Sequence, residues 1–316
     1  MQTENTFHHP LTDADGKAVA AMQIQIAPFR GKLTGPETRG VLDDLMEHTP
    51  DAAGVRYDKR EIGGIPGCWC QPTTARGDTV ILYLHGGAYV LGSAHAYRHF
   101  AGQIAARTNT AVFVADYRLA PEHVFPAAVE DAQAAYHGLV EQGVKEIAIV
   151  GDSAGGGLSL VLLSVVQAEA RAGRGIAASS AVVMSPWTDL ALTGASVEER
   201  ASEDLALTKE MLAITRASYL AGHSPRDPLA SPLYANLTGL PPIQLHVGTR
   251  EILLDDTRRY AERARAVGVD ATVHVWEGMP HVFPVSLGVL DAADKALALV
   301  ATFLDSNWRQ PQGATG

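Results

Sequence analysis

Five residues, Gly151-Asp152-Ser153-Ala154-Gly155, stand between the apolar run Ile147-Ala148-Ile149-Val150 and the helix-like Gly156 to Leu163. A short apolar run, G-x-S-x-G and then a helix is the sequence form of a nucleophile elbow. The turn from strand to helix is too tight for bulky neighbours, so glycines flank the serine, and its hydroxyl is lifted to the sheet edge where it can attack an acyl carbon. A serine that merely capped a helix would not need the glycines at 151, 155, 156 and 157.

Acyl transfer by serine also needs oxyanion donors, a base and an orienting acid. His85-Gly86-Gly87-Ala88-Tyr89 follows an apolar strand pattern, and two glycines there let backbone N–H groups approach a ligand unhindered. The donors are assigned to Gly86 and Gly87, with Ala154 as the third. Among twelve histidines, His281 is the choice for the base. It lies on a loop after the last strand pattern, and an elbow of this type runs in the order serine, acid, histidine. His274 falls inside a strand, and His85 belongs to the glycine loop and is expected to order it. His8, His9, His48 and His137 read as surface residues. Glu251 is the first carboxylate past the run Ile243 to Val247 and is taken as the acid. Asp255 remains open as a rival, although a carboxylate opening a helix is also a natural cap.

The elements that must hold these groups are strands alternating with helices. Strand patterns lie at 55–59, 65–71, 79–85, 111–115, 147–150, 181–185, 243–247 and 271–276. The later ones are nearly continuous in apolar residues, as in strands covered on both faces. Helical periods fall at roughly 96–107, 127–141, 154–172, 257–267 and 288–306. The alternation predicts an α/β fold, a mostly parallel central sheet of about eight strands flanked by helices. Residues 1–50 read as helical and mixed. The stretch 190–229 holds no strand but does hold a helix capped by Thr208, and it is too long for a plain connection. It predicts a lid or small subdomain.

Composition narrows the function. A net charge of −10 argues against nucleic acid and anionic membrane surfaces. Cys68 and Cys70, the two cysteines, make neither a disulfide framework nor a zinc site and read as reduced packing residues. No cofactor or metal is implied. The polar start Met1 to Thr6 lacks the build of a secretion signal, and the run Leu158 to Val166 is too short to span a bilayer. A cytoplasmic location is the default expectation.

Several segments together resemble the bacterial hormone-sensitive-lipase-type esterases of the α/β-hydrolase fold. They are His85-Gly-Gly-Ala-Tyr, Asp116-Tyr-Arg-Leu-Ala-Pro-Glu122, Gly151-Asp-Ser-Ala-Gly-Gly-Gly-Leu158, Glu251-Ile-Leu-Leu-Asp-Asp256 and Gly278-Met-Pro-His-Val-Phe283. The resemblance spans about Val55 to Phe303. It implies hydrolysis of short- to medium-chain carboxylic esters without metal or cofactor, by a triad of Ser153, Glu251 and His281. The family's usual acid is Asp, where this chain has Glu251. It also implies a helical cap: residues 1–50 as its N-terminal part, 190–229 as an insertion, and 51–189 with 230–316 as the catalytic domain. Tyr89, Trp187, Leu205, Met211 and Tyr219 are expected at the substrate pocket. Arg118 and Glu122 are expected to act structurally. A lactone hydrolase with the same triad and a non-catalytic ligand-binding protein of the same fold are the alternatives. The expected partner is a small-molecule ester, with a homodimer as an option through an edge strand at Ala271 to Trp276.

Overall fold

The structure is a computed structural model and describes residues 5–308. The first four residues of the polar N-terminal run and the last eight of the expected catalytic segment lie outside it. One nine-stranded sheet organises the described residues: β1 Thr6–His9, β2 Val55–Ile62, β3 Ile65–Pro72, β4 Thr79–Leu84, β5 Ala111–Ala115, β6 Glu146–Asp152, β7 Ser180–Met184, β8 Ile243–Gly248 and β9 Ala271–Trp276. The order across the sheet is β1-β9-β8-β7-β6-β4-β5-β3-β2. Only the pairings of β3, with β2 and with β5, are antiparallel.

The nearly unbroken apolar strands are explained by two cores, one on each face. Along β4, Val80, Leu82 and Leu84 point into one core while Ile81 and Tyr83 point into the other, the period of two that a strand imposes. The first core takes in α4 Ala127–Glu141, α5 Ser153–Arg171 and α8 Leu254–Ala266; the second takes in α3 Arg98–Thr108 and α9 Asp291–Asn307. Among the described residues, α5 is the one helix long and apolar enough to cross a bilayer. About two-thirds of that stretch is buried within the fold, so its apolar character is used up by core packing.

The remaining helices belong to the two segments expected to form a cap. They are α1 Asp13–Ile26 and α2 Arg39–Glu47 near the N-terminus, and α6 Ser196–Glu199 and α7 Lys209–Leu220 in the stretch between β7 and β8. Thr208 caps α7 as expected, its hydroxyl accepting from the Met211 N–H at 3.1 Å. The two segments are joined: the Gly31 N–H donates to the Ala206 carbonyl at 2.9 Å, and Arg30 Nε donates to the Asp204 carbonyl at 2.7 Å.

The structure corrects three expectations here. The sheet gains a strand from the N-terminal segment, where only helical and mixed character had been read. That strand, β1, pairs in parallel with β9, Thr6 opposite Val273 through His9 opposite Trp276. Ala271–Trp276 is therefore an interior strand, and its edge is not free to pair a second copy. His9 is not a surface residue: it is half-buried, stacked on Trp276 with ring centroids 3.8 Å apart.

Candidate active site

Ser153 sits where β6 gives way to α5, with φ of 52°, a left-handed conformation that a non-glycine residue adopts only when its surroundings enforce it. Those surroundings are close. A Cβ on Gly155 would stand 2.1 Å from the Leu84 carbonyl oxygen, so glycine is required for the elbow to press against β4. The Trp187 N–H, donating to the Ser153 carbonyl at 2.9 Å, braces the turn from β7.

The loop after β9 carries His281 to this serine. Its Nε2 lies 2.9 Å from Ser153 Oγ, and its Nδ1 lies 2.8 Å from Glu251 Oε2. Glu251 is fully buried, and its other oxygen accepts from Ser185 Oγ and from the Gly248 N–H, both at 2.8 Å. Ser185 Oγ in turn accepts from the Val282 N–H at 3.0 Å, tying the carboxylate to the histidine loop. Asp255 points elsewhere: its carboxylate accepts from the Ser196 N–H at 3.0 Å, holding α6 against α8. Burial would lower the His281 pKa, but the hydrogen bond and charge of Glu251, with Asp204 and Asp152 behind them, outweigh it and raise the imidazole above its usual value.

The glycine loop departs from expectation at one residue. Gly86 is not available to a ligand, because its N–H donates to Asp152 Oδ1 at 3.0 Å. Gly87 and Ala88 line the cavity instead, beside Ser153. Among the described residues the N–H groups of Gly87, Ala88 and Ala154 have no protein acceptor. The sequence hint missed was Ala88 itself, third in the glycine run. His85 orders the loop, its Nδ1 2.8 Å from the Gly86 carbonyl and its ring stacked on Tyr117 at 4.4 Å.

Ser153 and His281 open onto a cavity of about 430 Å³ with a largely apolar lining. Leu205 and Met211 line it as expected. Tyr89, Trp187 and Tyr219 do not. They are buried against one another, Tyr89 stacked on Tyr219 with centroids 3.9 Å apart and 6.4 Å from Trp187. Their apolar bulk props up the loop rather than facing the cavity. The lining that sequence reasoning missed comes from α1 and α2, with Met22, Ile26, Leu42 and Met46, and from Val282 and Leu287 beyond the histidine. The amphipathic stripe of α2 was the available signal. Arg118 is bound by Asp131 at 2.7 Å and Glu130 at 3.0 Å, and Glu122 by Arg39 at 2.7 Å, so both serve as braces. Cys68 and Cys70 are buried and unpaired. Among the described residues no group of three or more His, Cys, Asp or Glu side chains is placed to hold a metal ion.

Residues 81–285 match the family described as the alpha/beta hydrolase fold. The chain is 42% identical over 238 residues to an acetyl-hydrolase of Streptomyces hygroscopicus, a match covering 75% of this chain and 78% of the relative. It is 35% identical over 282 residues to an esterase of Acinetobacter venetianus, covering 88% and 91%. A solved esterase from the bacterial hormone-sensitive lipase family superposes with a TM-score of 0.87 at 38% identity, over 94% of this chain and 99% of that one.

Proposed function

The chain belongs to the bacterial hormone-sensitive-lipase-type carboxylesterases of the α/β-hydrolase fold, and from that premise we propose a serine-esterase reaction on short- to medium-chain acyl esters through an acyl-enzyme. The observation that carries this reading is the unbroken chain from Ser153 Oγ through both nitrogens of His281 to Glu251, at 2.9 and 2.8 Å. In it, His281 Nε2 takes the serine proton as Oγ attacks the ester carbonyl. Glu251 fixes the tautomer by accepting from Nδ1–H and stabilises the imidazolium that forms. The N–H groups of Gly87, Ala88 and Ala154 receive the oxyanion; Gly86 drops out because its donor is engaged. His281 then protonates the departing alcohol, and water activated by the same imidazole releases the acid.

The cavity supports the proposed acyl range. Its apolar lining suits a hydrocarbon chain, and part of its wall comes from 22–49 and 205–212, which we assign to a cap over the catalytic core. The hydrogen bonds from Arg30 and Gly31 to the 201–206 stretch support treating the two segments as one body.

The test is Ser153→Ala assayed on p-nitrophenyl butyrate, with fluorophosphonate labelling of the wild type. Labelling at Ser153 and a rate lower by roughly 10⁴-fold or more in the variant are expected. Retained turnover in Ser153→Ala would refute the mechanism. An acyl-length series run beside lactones defines the substrate: rates peaking at short to medium linear chains agree with the proposal, and rates highest on lactones displace it.

A further inference from the structure

Asp152 lies one residue before Ser153, is almost wholly buried, and reaches the wall of the cavity. The reaction just described gives it no role. A buried anion beside a forming oxyanion is unfavourable unless its charge is consumed locally. Three donors consume it. Tyr83 Oη donates to Oδ1 at 2.7 Å, the Gly86 N–H donates to the same oxygen at 3.0 Å, and Tyr97 Oη donates to Oδ2 at 3.3 Å. Burial raises the carboxyl, the bonds from Tyr83 and Gly86, the His281 charge and the bond from Tyr97 pull against it, and the balance stands at about 6.

The Gly86 contact is the informative one, because it joins the two loops whose spacing decides whether an oxyanion is held. Past Gly86 the chain runs left-handed for three consecutive residues, Gly87 at φ 115°, Ala88 at 55° and Tyr89 at 65°. Two of these carry side chains, so the conformation persists only if both ends are fixed. The far end is tied by the Ala120 N–H on the Tyr89 carbonyl at 2.9 Å and by Arg39 Nε on the Val90 carbonyl at 2.8 Å. The near end is tied by Asp152. The fit is tight enough to dictate the residue opposite: a Cβ on Gly86 would stand 2.2 Å from Asp152 Oδ2.

We propose that Asp152 is a positioning residue for the ester hydrolysis, a carboxylate staple that holds the Gly86–Ala88 loop against the serine elbow so that the Gly87 and Ala88 N–H groups face the reacting carbonyl. The inference rests on the serine-esterase reading, and Ser153→Ala measured alongside separates the two: an active Ser153→Ala protein defeats that reading, whatever Asp152 does.

The experiment compares Asp152→Ala, Asp152→Asn and Gly86→Ala. The measurements are kcat and KM on p-nitrophenyl butyrate, inhibition by a trifluoromethyl ketone, whose adduct carries an oxyanion, and inhibition by butyrate, which does not need one. Asp152→Ala should lower kcat about 100-fold, the scale of a lost oxyanion donor, with KM little changed. It should weaken the ketone far more than butyrate. Asparagine keeps an acceptor for Gly86 and Tyr83 and should recover most of the loss. Gly86→Ala must push the loop off the carboxylate and should reproduce the alanine variant, which keeps the test decisive if Asp152→Ala does not fold. The proposal is overturned if Gly86→Ala or Asp152→Ala retains wild-type kcat while Ser153→Ala is dead. It is equally overturned if asparagine is as damaging as alanine, or if ketone and butyrate weaken together.

Discussion

Two histidine sites built on the same pair of strands are both penalised by burial, yet their pKa values end up shifted in opposite directions. His281 follows β9 and is backed by Glu251 from the loop after β8; its pKa is raised. Within the strands themselves, His246 on β8 and His274 on β9 stack at 4.8 Å, and both pKa values are lowered, that of His274 to about 4. Among the described residues, no carboxylate hydrogen-bonds to the lowered pair. Its polar partners form a one-way ladder of neutral groups: Trp276 Nε1–H to His246 Nδ1 at 3.3 Å, His246 Nε2–H to Gln244 Oε1 at 3.0 Å, Gln244 Nε2–H to His274 Nε2 at 3.3 Å, and His274 Nδ1–H to His9 Nε2 at 2.9 Å. In that direction every ring nitrogen in the ladder has one role, and a second proton on any ring sets a donor against a donor. A carboxylate behind a buried ring therefore raises its basicity, whereas an amide leaves the ring a neutral structural rung.

The largest effect should come from taking the carboxylate out of the first site. Glu251→Gln leaves an amide where the ladder has one, and kcat should fall roughly 10³–10⁴-fold. Asp255→Asn, measured beside it, should leave kcat near wild type, because that carboxylate holds Ser196 rather than His281. A collapse in Asp255→Asn with activity kept in Glu251→Gln would invert the assignment.

A smaller effect is a shift in the pH profile. The proposed reaction needs neutral His281, whose pKa is raised above the usual 6.5, so kcat/KM should fall on the acid side with a midpoint above that value, about tenfold per pH unit below it. In the residual activity of Glu251→Gln the midpoint should move down, since the hydrogen bond and charge that raise the pKa are both lost. An unmoved midpoint would mean that Glu251 does not set the basicity of His281.

The comparison also marks where sequence was a sufficient guide. Ser153 was readable because its turn imposes local demands, glycines within two residues on either side, and these are visible in any window of the chain. Glu251 was reachable because the exit of β8 limits which carboxylate comes first, although only the fold separates it from Asp255. The alternating strands gave the α/β sheet with eight of its nine strands. What was not readable depends on partners distant in sequence. β1 is four residues without alternation, and its pairing with β9 spans about 265 positions. Gly86 looked like a donor to substrate because nothing in the order of residues says that the Asp152 side chain takes its N–H. Tyr89 and Tyr219 were expected at the pocket because residue type does not state which void an aromatic ring fills; they fill one beneath the loop.

The smallest expected effect is on stability, and here acid sets the two sites against each other. The raised pKa of His281 means that its pairing with Glu251 contributes stability that is full below about 6.5, the unfolded histidine value, and is lost as pH rises through the folded value. The lowered pKa of His274 means that the ladder contributes stability present above the unfolded value and lost as pH falls from about 6.5 toward about 4. Over that window an unfolded chain takes up protons that the ladder refuses. Melting should therefore move down between pH 7 and pH 5, on the order of 5 °C for a domain of this size. His274→Phe keeps the stack with Phe7 and His246 but cannot be protonated. It should melt lower than wild type at pH 7, because Gln244 and His9 lose a partner, and should lose less on going to pH 5. An acid-induced drop as large in the variant as in the wild type would remove the ladder from the account and leave its geometry a matter of packing alone.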